Sequence, residues 1–107
     1  MNVVNIIGWI ENDCQVIDIS PDKRKKLLCF TIVFPKDNNN FSDEDLAISD
    51  QFNHIKIKFW TENSNEEMLL VDQTIVAVNG WIQTSLQSIN PMEYAIEIYA
   101  NKISYLS

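Results

Sequence analysis

Glycine is almost absent from this chain. Only Gly8 and Gly80 occur in 107 residues, and both stand in the phrase Gly-Trp-Ile, in IIGWI (6–10) and in VNGWI (78–82). The acidic stretch SDEDLAISD (42–50) accordingly has no glycine, and it lacks the ligand spacing of a calcium loop. Histidine is reduced to His54 and cysteine to Cys14 and Cys29. One histidine and two separated cysteines make no zinc site. No serine or cysteine has a partner base in the pattern, so neither an enzyme nor a cofactor is expected. With no sign of secretion, both cysteines are expected as free thiols and not as a disulfide. Apolar runs reach only about four to six residues, against roughly 20 for a spanning helix, so no membrane partner is expected. The start MNVVNIIGWIENDC has neither a basic region nor a small-residue cleavage site, and a signal peptide is not expected. Positive charge is scarce too. The 8 Lys and Arg face 15 Asp and Glu, a formal charge of −7, which excludes a whole-protein field attracting nucleic acid.

What is present suffices for one domain, residues 1–107, since 46% hydrophobic content supports a single modest core. Val4, Ile6, Gly8 and Ile10 alternate with Val3, Asn5, Ile7 and Trp9, which predicts a strand over 3–10. A second extended segment is expected over about 14–19. SPDKRKK then reads as a turn, with Pro21 presetting φ and Asp22 suited to it. LLCFTIVF (27–34) reads as a buried strand that Pro35 ends. Residues 36–53 are polar and aperiodic, predicting a long loop with one helical turn at SDEDLAI, capped by Ser42 and Asp45. HIKIKFW (54–60) alternates, with Ile55, Ile57 and Phe59 inward and His54, Lys56, Lys58 and Trp60 outward. SNEEMLLV (64–71) predicts a helix with Ser64 and Glu67 as its capping box. TIVAVNGWIQT (74–84) and EYAIEIYANKISYL (93–106) are predicted strands joined by a turn at SINP. A lone short helix between strands three and four of a five-stranded Greek-key barrel is the layout of an OB-fold, an all-β architecture. Strands one and four are then neighbours, and a glycine inside each permits the bend that closes the barrel.

Four stretches, in order and over nearly the whole chain, resemble the DNA-binding domain of bacterial single-stranded DNA-binding proteins (SSB). The family's opening N-x-V-x-L-x-G-x-L corresponds to Asn2, Val4, Ile6, Gly8 and Ile10. Its N-F-S-L corresponds to Cys29, Phe30, Thr31 and Ile32. Its V-x-I-x-G-x-L-x-T corresponds to Val76, Val78, Gly80, Ile82 and Thr84. Its closing strand corresponds to Tyr94, Glu97, Ile98, Ala100, Asn101, Ile103 and Leu106. The resemblance implies an OB-fold, self-association as a dimer or tetramer, and single-stranded DNA binding in replication, repair or recombination. It also implies the cytoplasm of a bacterium or a plastid stroma. The chain ends one residue after Leu106, where SSB proteins continue into a flexible segment and an acidic tail, so tail-borne recruitment of partners is expected to be absent. In this it is similar to the primosomal paralogue and to the small SSB-like proteins of cyanobacteria and plastids. Val33-Phe34-Pro35, and Trp60 after an Ile-Lys-Ile strand, look closest to the latter.

Sequence-tolerant single-strand binding needs aromatic faces for bases and cations for phosphates. Phe52, Lys56, Lys58 and Trp60 share one face of the third strand. The family carries stacking aromatics near Phe52 and Lys58; Phe52 keeps one, Lys58 replaces one, and Trp60 is the candidate substitute. The alternative is that Trp60 packs on the helix beside a solvated lysine face. Trp9 and Trp81, on adjacent strands, are expected outward as neighbouring indoles, explained by base stacking or by a subunit interface. The resemblance puts Val3, Asn5, Ile7 and Trp9 at that interface, and Trp81 is assigned to nucleic acid; a bulge at either glycine would instead bury the indole. Lys23, Arg24, Lys25 and Lys26, half of all basic residues, form a candidate phosphate clamp, the alternative being a solvated turn. Two further readings stand beside single-stranded DNA. One is RNA, because stacking does not read the sugar. The other is an SSB-derived protein-interaction module that has lost nucleic acid and acts within a replication or other assembly. A contiguous basic groove would favour DNA, and acids bordering the groove a protein partner.

Overall fold

A computed structural model describes residues 1–37 and 51–107. Its elements are β1 (Val4–Ile19), β2 (Lys26–Pro35), β3 (Phe52–Thr61), α1 (Ser64–Leu69), β4 (Ile75–Ile89) and β5 (Met92–Tyr105). The strands close into a barrel in the order β1-β2-β3-β5-β4. All pairings are antiparallel except β3 with β5. This is the expected OB-fold, with the short helix between β3 and β4.

The alternation read from the sequence sets the faces. Ile10, Leu28, Ile32, Ile57 and Val76 are wholly buried in the barrel, while Val4, Ile6, Ile55 and Phe59 pack against them. Leu70, the residue that leaves the helix at its C-terminal end, is also wholly buried and closes one mouth of the barrel. Both cysteines are free and half-buried.

β4 runs on to Ile89 where 84 was expected, α1 ends at Leu69 where 71 was expected, and three further differences have a visible cause. The segments expected at 3–10 and 14–19 are one strand, β1, which runs through an irregularity between Glu11 and Gln15. Asn12 takes a left-handed φ of 63° there, a conformation that asparagine tolerates. The α1–β4 connection holds the irregularity in place: the Asn12 amide donates to Asp72 Oδ1 at 2.7 Å and the Cys14 amide to the Leu70 carbonyl at 2.9 Å. Second, Phe52 and Asn53 belong to β3 and not to the preceding loop, because they continue the pairing with Pro35 and Phe34. Third, the helix cap is Asn63, whose side chain accepts from the Asn65 amide at 2.9 Å. Glu67 is turned instead to Lys26, so the Ser64–Glu67 capping box does not form. The helical turn expected at 42–48 lies outside the described residues.

Neither glycine has a positive φ. Each is required by close backbone approach. A Cβ on Gly8 would collide with the Val33 carbonyl oxygen, and one on Gly80 with that of Tyr99. Gly8 lies one residue before the point where β1 passes from β4 to β2, since Trp9 is opposite both Ile75 and Val33. Gly80 sits at a shift in the β4–β5 ladder: Asn79 is opposite Lys102 but Gly80 is opposite Ala100, leaving Asn101 as the extra residue. The bulge does not turn Trp81 inward, because its indole remains 37% exposed.

Candidate nucleic-acid interface

The ladder registers assemble a row of outward side chains across four strands. Trp81 is opposite Tyr99, Tyr99 is opposite Lys58, and Lys58 is opposite Cys29. The Trp81 indole stacks on the Tyr99 ring, with centroids 5.6 Å apart and planes 13° from parallel. Its Nε1–H donates to Gln83 Oε1 at 3.0 Å, which fixes the ring's rotation. Lys58 Nζ lies 5.9 Å from the centroid of the Tyr99 ring, within reach of a cation–π attraction.

Above this row is a cleft of about 740 Å³ lined by Trp60, Trp81, Tyr99, Asn101, Lys25 and Asp18, among others. Trp60 is 37% exposed, as Trp81 is. Below it lies a second cleft of about 400 Å³, where Lys56 and Lys58 face Ser85, Gln87 and Cys29. Among the described residues each cleft carries one acid, Asp18 in the first and Glu97 in the second. Glu97 pairs with Lys58 in the second cleft. The hydrogen bond from Lys58 is the main cause that holds the Glu97 carboxyl below its ordinary pKa, and the same bond raises that of the Lys58 ammonium. The charge pattern is therefore mixed and not a continuous basic groove.

The basic run is divided by its own turn. The Ser20 hydroxyl donates to Asp22 Oδ1 at 2.6 Å and accepts from the Lys25 amide at 3.0 Å, while the Arg24 amide donates to Asp22 at 3.1 Å. These bonds, the Ser20 hydroxyl first, hold the Asp22 carboxyl below its ordinary pKa. Lys23 adopts a φ of 62° at the bend. As a result Lys25 reaches the aromatic cleft, whereas Lys23, Arg24 and Lys26 line a recess beside the start of α1. Lys26 is held there by Glu67 at 3.1 Å. The four side chains do not form a single clamp.

Other sequence-predicted residues are also separated. Phe52 and Trp60 share a face of β3 but stand at opposite ends of it, about 27 Å apart at the ordinary strand rise. Phe52 meets Trp9 instead, edge to face, with centroids 5.4 Å apart. The two indoles on adjacent strands are not neighbours: Trp9 is opposite Ile75 while Val4 is opposite Gly80, which separates Trp9 from Trp81 by about 20 Å along the ladder. Along the outer face of β1, Val3 and Ile7 are exposed, Ile7 to 65%. Between them Asn5 accepts from Asn79 Nδ2 at 3.0 Å.

Sequence reasoning did not single out Tyr99, and named Glu97 only as a match to the family's closing strand and not as a site residue. Their signal was nonetheless present: Ile98 and Ala100 face the core, so the alternating residues of the same strand face outward.

Solved structures are similar to this chain, one of them along its whole length. It is the dimeric N-terminal domain of the PriB protein from Thermoanaerobacter tencongensis, with a TM-score of 0.68 and 16% identity, covering 99% of this chain and 97% of that one. At that identity the likeness shows the fold. No known family matches the sequence, and no curated protein does.

Proposed function

We propose that this chain binds single-stranded DNA without strong sequence preference, through the cleft formed by Trp60, Trp81 and Tyr99. It does so as a homo-oligomer in DNA replication, repair or recombination, and as a binding module with no reaction of its own. The observation that carries this reading is the Trp81–Tyr99 stack, which presents an open indole face beside Trp60 and Lys25 in one cleft. An exposed flat aromatic is what an unstacked base needs, and every base has a π-face, so such a platform is tolerant of sequence. Lys25, Lys56 and Lys58 lie along the same side of the barrel and suit the phosphates between stacked bases. The exposed Val3 and Ile7 on β1 supply an apolar strip for self-association, and the similar PriB domain is itself dimeric.

The test is a titration of the intrinsic tryptophan fluorescence with oligo-dT at low and moderate salt. Quenching that weakens as salt rises supports stacking together with phosphate contact. Absence of quenching at low salt refutes the reading and favours the protein-interaction module. That second reading is supported by the placement of Asp18 and Glu97 within the two clefts and by the formal charge of −7. Oligo-rU in the same assay separates DNA from RNA.

A further inference from the structure

The lower cleft contains an anion site that is already filled by the protein. The Glu97 carboxylate accepts from the Lys58 ammonium, Ser85 lines the same cleft, and the Tyr99 ring lies beside the Lys58 ammonium. Lys58, Ser85 and Tyr99 come from β3, β4 and β5, and together they form a donor set suited to a phosphodiester oxygen. Lys56, two residues from Lys58 on the same face, has no ion pair among the described residues. The pair is only partly shielded, with the Lys58 side chain 30% exposed and that of Glu97 15% exposed. An exchange of partners at Lys58 is accordingly within reach of an incoming anion.

We infer that Glu97 is an internal stand-in for a nucleic-acid phosphate on Lys58, and that its displacement joins the two clefts into one binding track. The inference rests on the reading of the upper cleft as a single-strand site. The Lys58–Glu97 bridge lines the lower cleft with Lys56, Ser85 and Gln87, and Lys58 lies beside Tyr99, which lines the upper cleft with Trp60, Trp81 and Lys25. A strand confined to the upper cleft leaves the bridge intact. A longer strand replaces the carboxylate by phosphate and gains Lys56 as well. Glu97 thus sets the length of strand that is bound and attenuates the affinity for it.

The experiment measures anisotropy of labelled oligo-dT of several lengths against wild type, Glu97→Gln, Lys58→Met and the double variant. Glu93→Gln, near the tip of the β4–β5 hairpin, is the control for the same change of charge. Circular dichroism establishes that each variant is folded, and Glu97→Ala serves if Glu97→Gln is not. The expected result is up to about fivefold tighter binding by Glu97→Gln, confined to the longer oligomers. Its salt dependence on the longer oligomers should stay within about 0.7 of the wild-type slope, the increment for one phosphate contact on a single strand, because Lys58 meets phosphate in both. In the Lys58→Met background the same substitution should change binding less than about twofold, as coupling through Lys58 requires. A Glu97→Gln variant that binds where wild type does not would be the strongest support. Wild-type binding that Glu97→Gln leaves unchanged would overturn this inference and leave the proposed function standing, as would a gain that Glu93→Gln reproduces or that persists without Lys58. Failure of every folded variant to bind at low salt would overturn both.

Discussion

Removal of the Trp81 indole is the most direct test of the aromatic cleft. Stacking of one base on one aromatic contributes about 1–3 kcal/mol, which corresponds to roughly 5- to 150-fold in affinity. The geometry narrows that range. One face of the indole lies on Tyr99, so Trp81 can offer only its other face, and hence a platform for a single base. Trp81→Ala uncovers the Tyr99 ring, a smaller surface one layer down in a nearly parallel plane, which takes over part of the contact. The loss expected for Trp81→Ala is therefore in the lower part of the range, about 5- to 20-fold. Trp81→Ala combined with Tyr99→Ala removes the whole platform and is expected to reach about 100-fold. The assay is anisotropy of labelled oligo-dT, because a readout from intrinsic fluorescence would lose one of its own reporters. Trp9→Phe is the control: Trp9 packs on Phe52 at the other end of the barrel and should leave binding within about twofold. Loss of the ring pair costs folding about 0.5–1.5 kcal/mol beyond the area the indole buries, and its partial exposure limits that second part. If the folded double variant binds within twofold of wild type, base stacking in this cleft is refuted.

Two further predictions concern the scaffold. Leu70→Ala leaves a void at the closed mouth of the barrel, because the side chain is 0% exposed within the core cluster. It should cost about 2–5 kcal/mol in urea unfolding while leaving the affinity of the remaining folded protein unchanged. The Tyr105 phenol donates to the Glu66 carboxylate and ties the last strand to the helix. Burial, and then that carboxylate, hold its pKa above the ordinary phenol value of 10.0. The folded state thus keeps a proton that the unfolded state releases above about pH 10, so the contribution is complete below that pH and declines as pH rises through it. Tyr105→Phe should lose about 1 kcal/mol at neutral pH and flatten the alkaline decline, as measured by urea midpoints from pH 7 to 11.5.

The faces of the strands were legible from the sequence and their pairings were not. Alternation put Ile55, Ile57 and Phe59 inward and Lys56, Lys58 and Trp60 outward, and that is how they lie. Parity identifies a face but not a position along it. It could not show that Phe52 and Trp60 stand at opposite ends of β3, or that Trp9 and Trp81 are separated by the antiparallel register. Nor could it place Tyr99 under Trp81, a neighbourhood that depends on the bulge at Gly80. The continuity of β1 was hidden because the irregularity at Asn12 interrupts the period over the residues that would have revealed it. The basic run misled for a related reason. Consecutive charges read as one patch, but the left-handed Lys23 sends neighbours to different sides of the hairpin.

The acidity of the chain has a quantitative consequence for the proposed binding. The charge of −7 is spread over the molecule, and at physiological salt its field is screened beyond about 8 Å. What a bound strand meets is local. Lys25, Lys56 and Lys58 border the two clefts together with Asp18 and Glu97, whereas Glu66 and Glu67 lie on α1 and Asp13 and Asp72 at the β1 irregularity. Lys26 is neutralised by Glu67. Three phosphate contacts, the one on Lys58 made when a longer strand displaces Glu97, give a salt slope of about −2, since each contributes about −0.7. Affinity should then fall only about twentyfold between roughly 50 and 200 mM salt, with stacking supplying the larger, salt-insensitive part. A slope of about −4 or steeper would require the Lys23–Lys26 run to contact phosphate together, with the Lys26–Glu67 pair broken. The basic turn would then share the binding with the two clefts, which would no longer account for it alone.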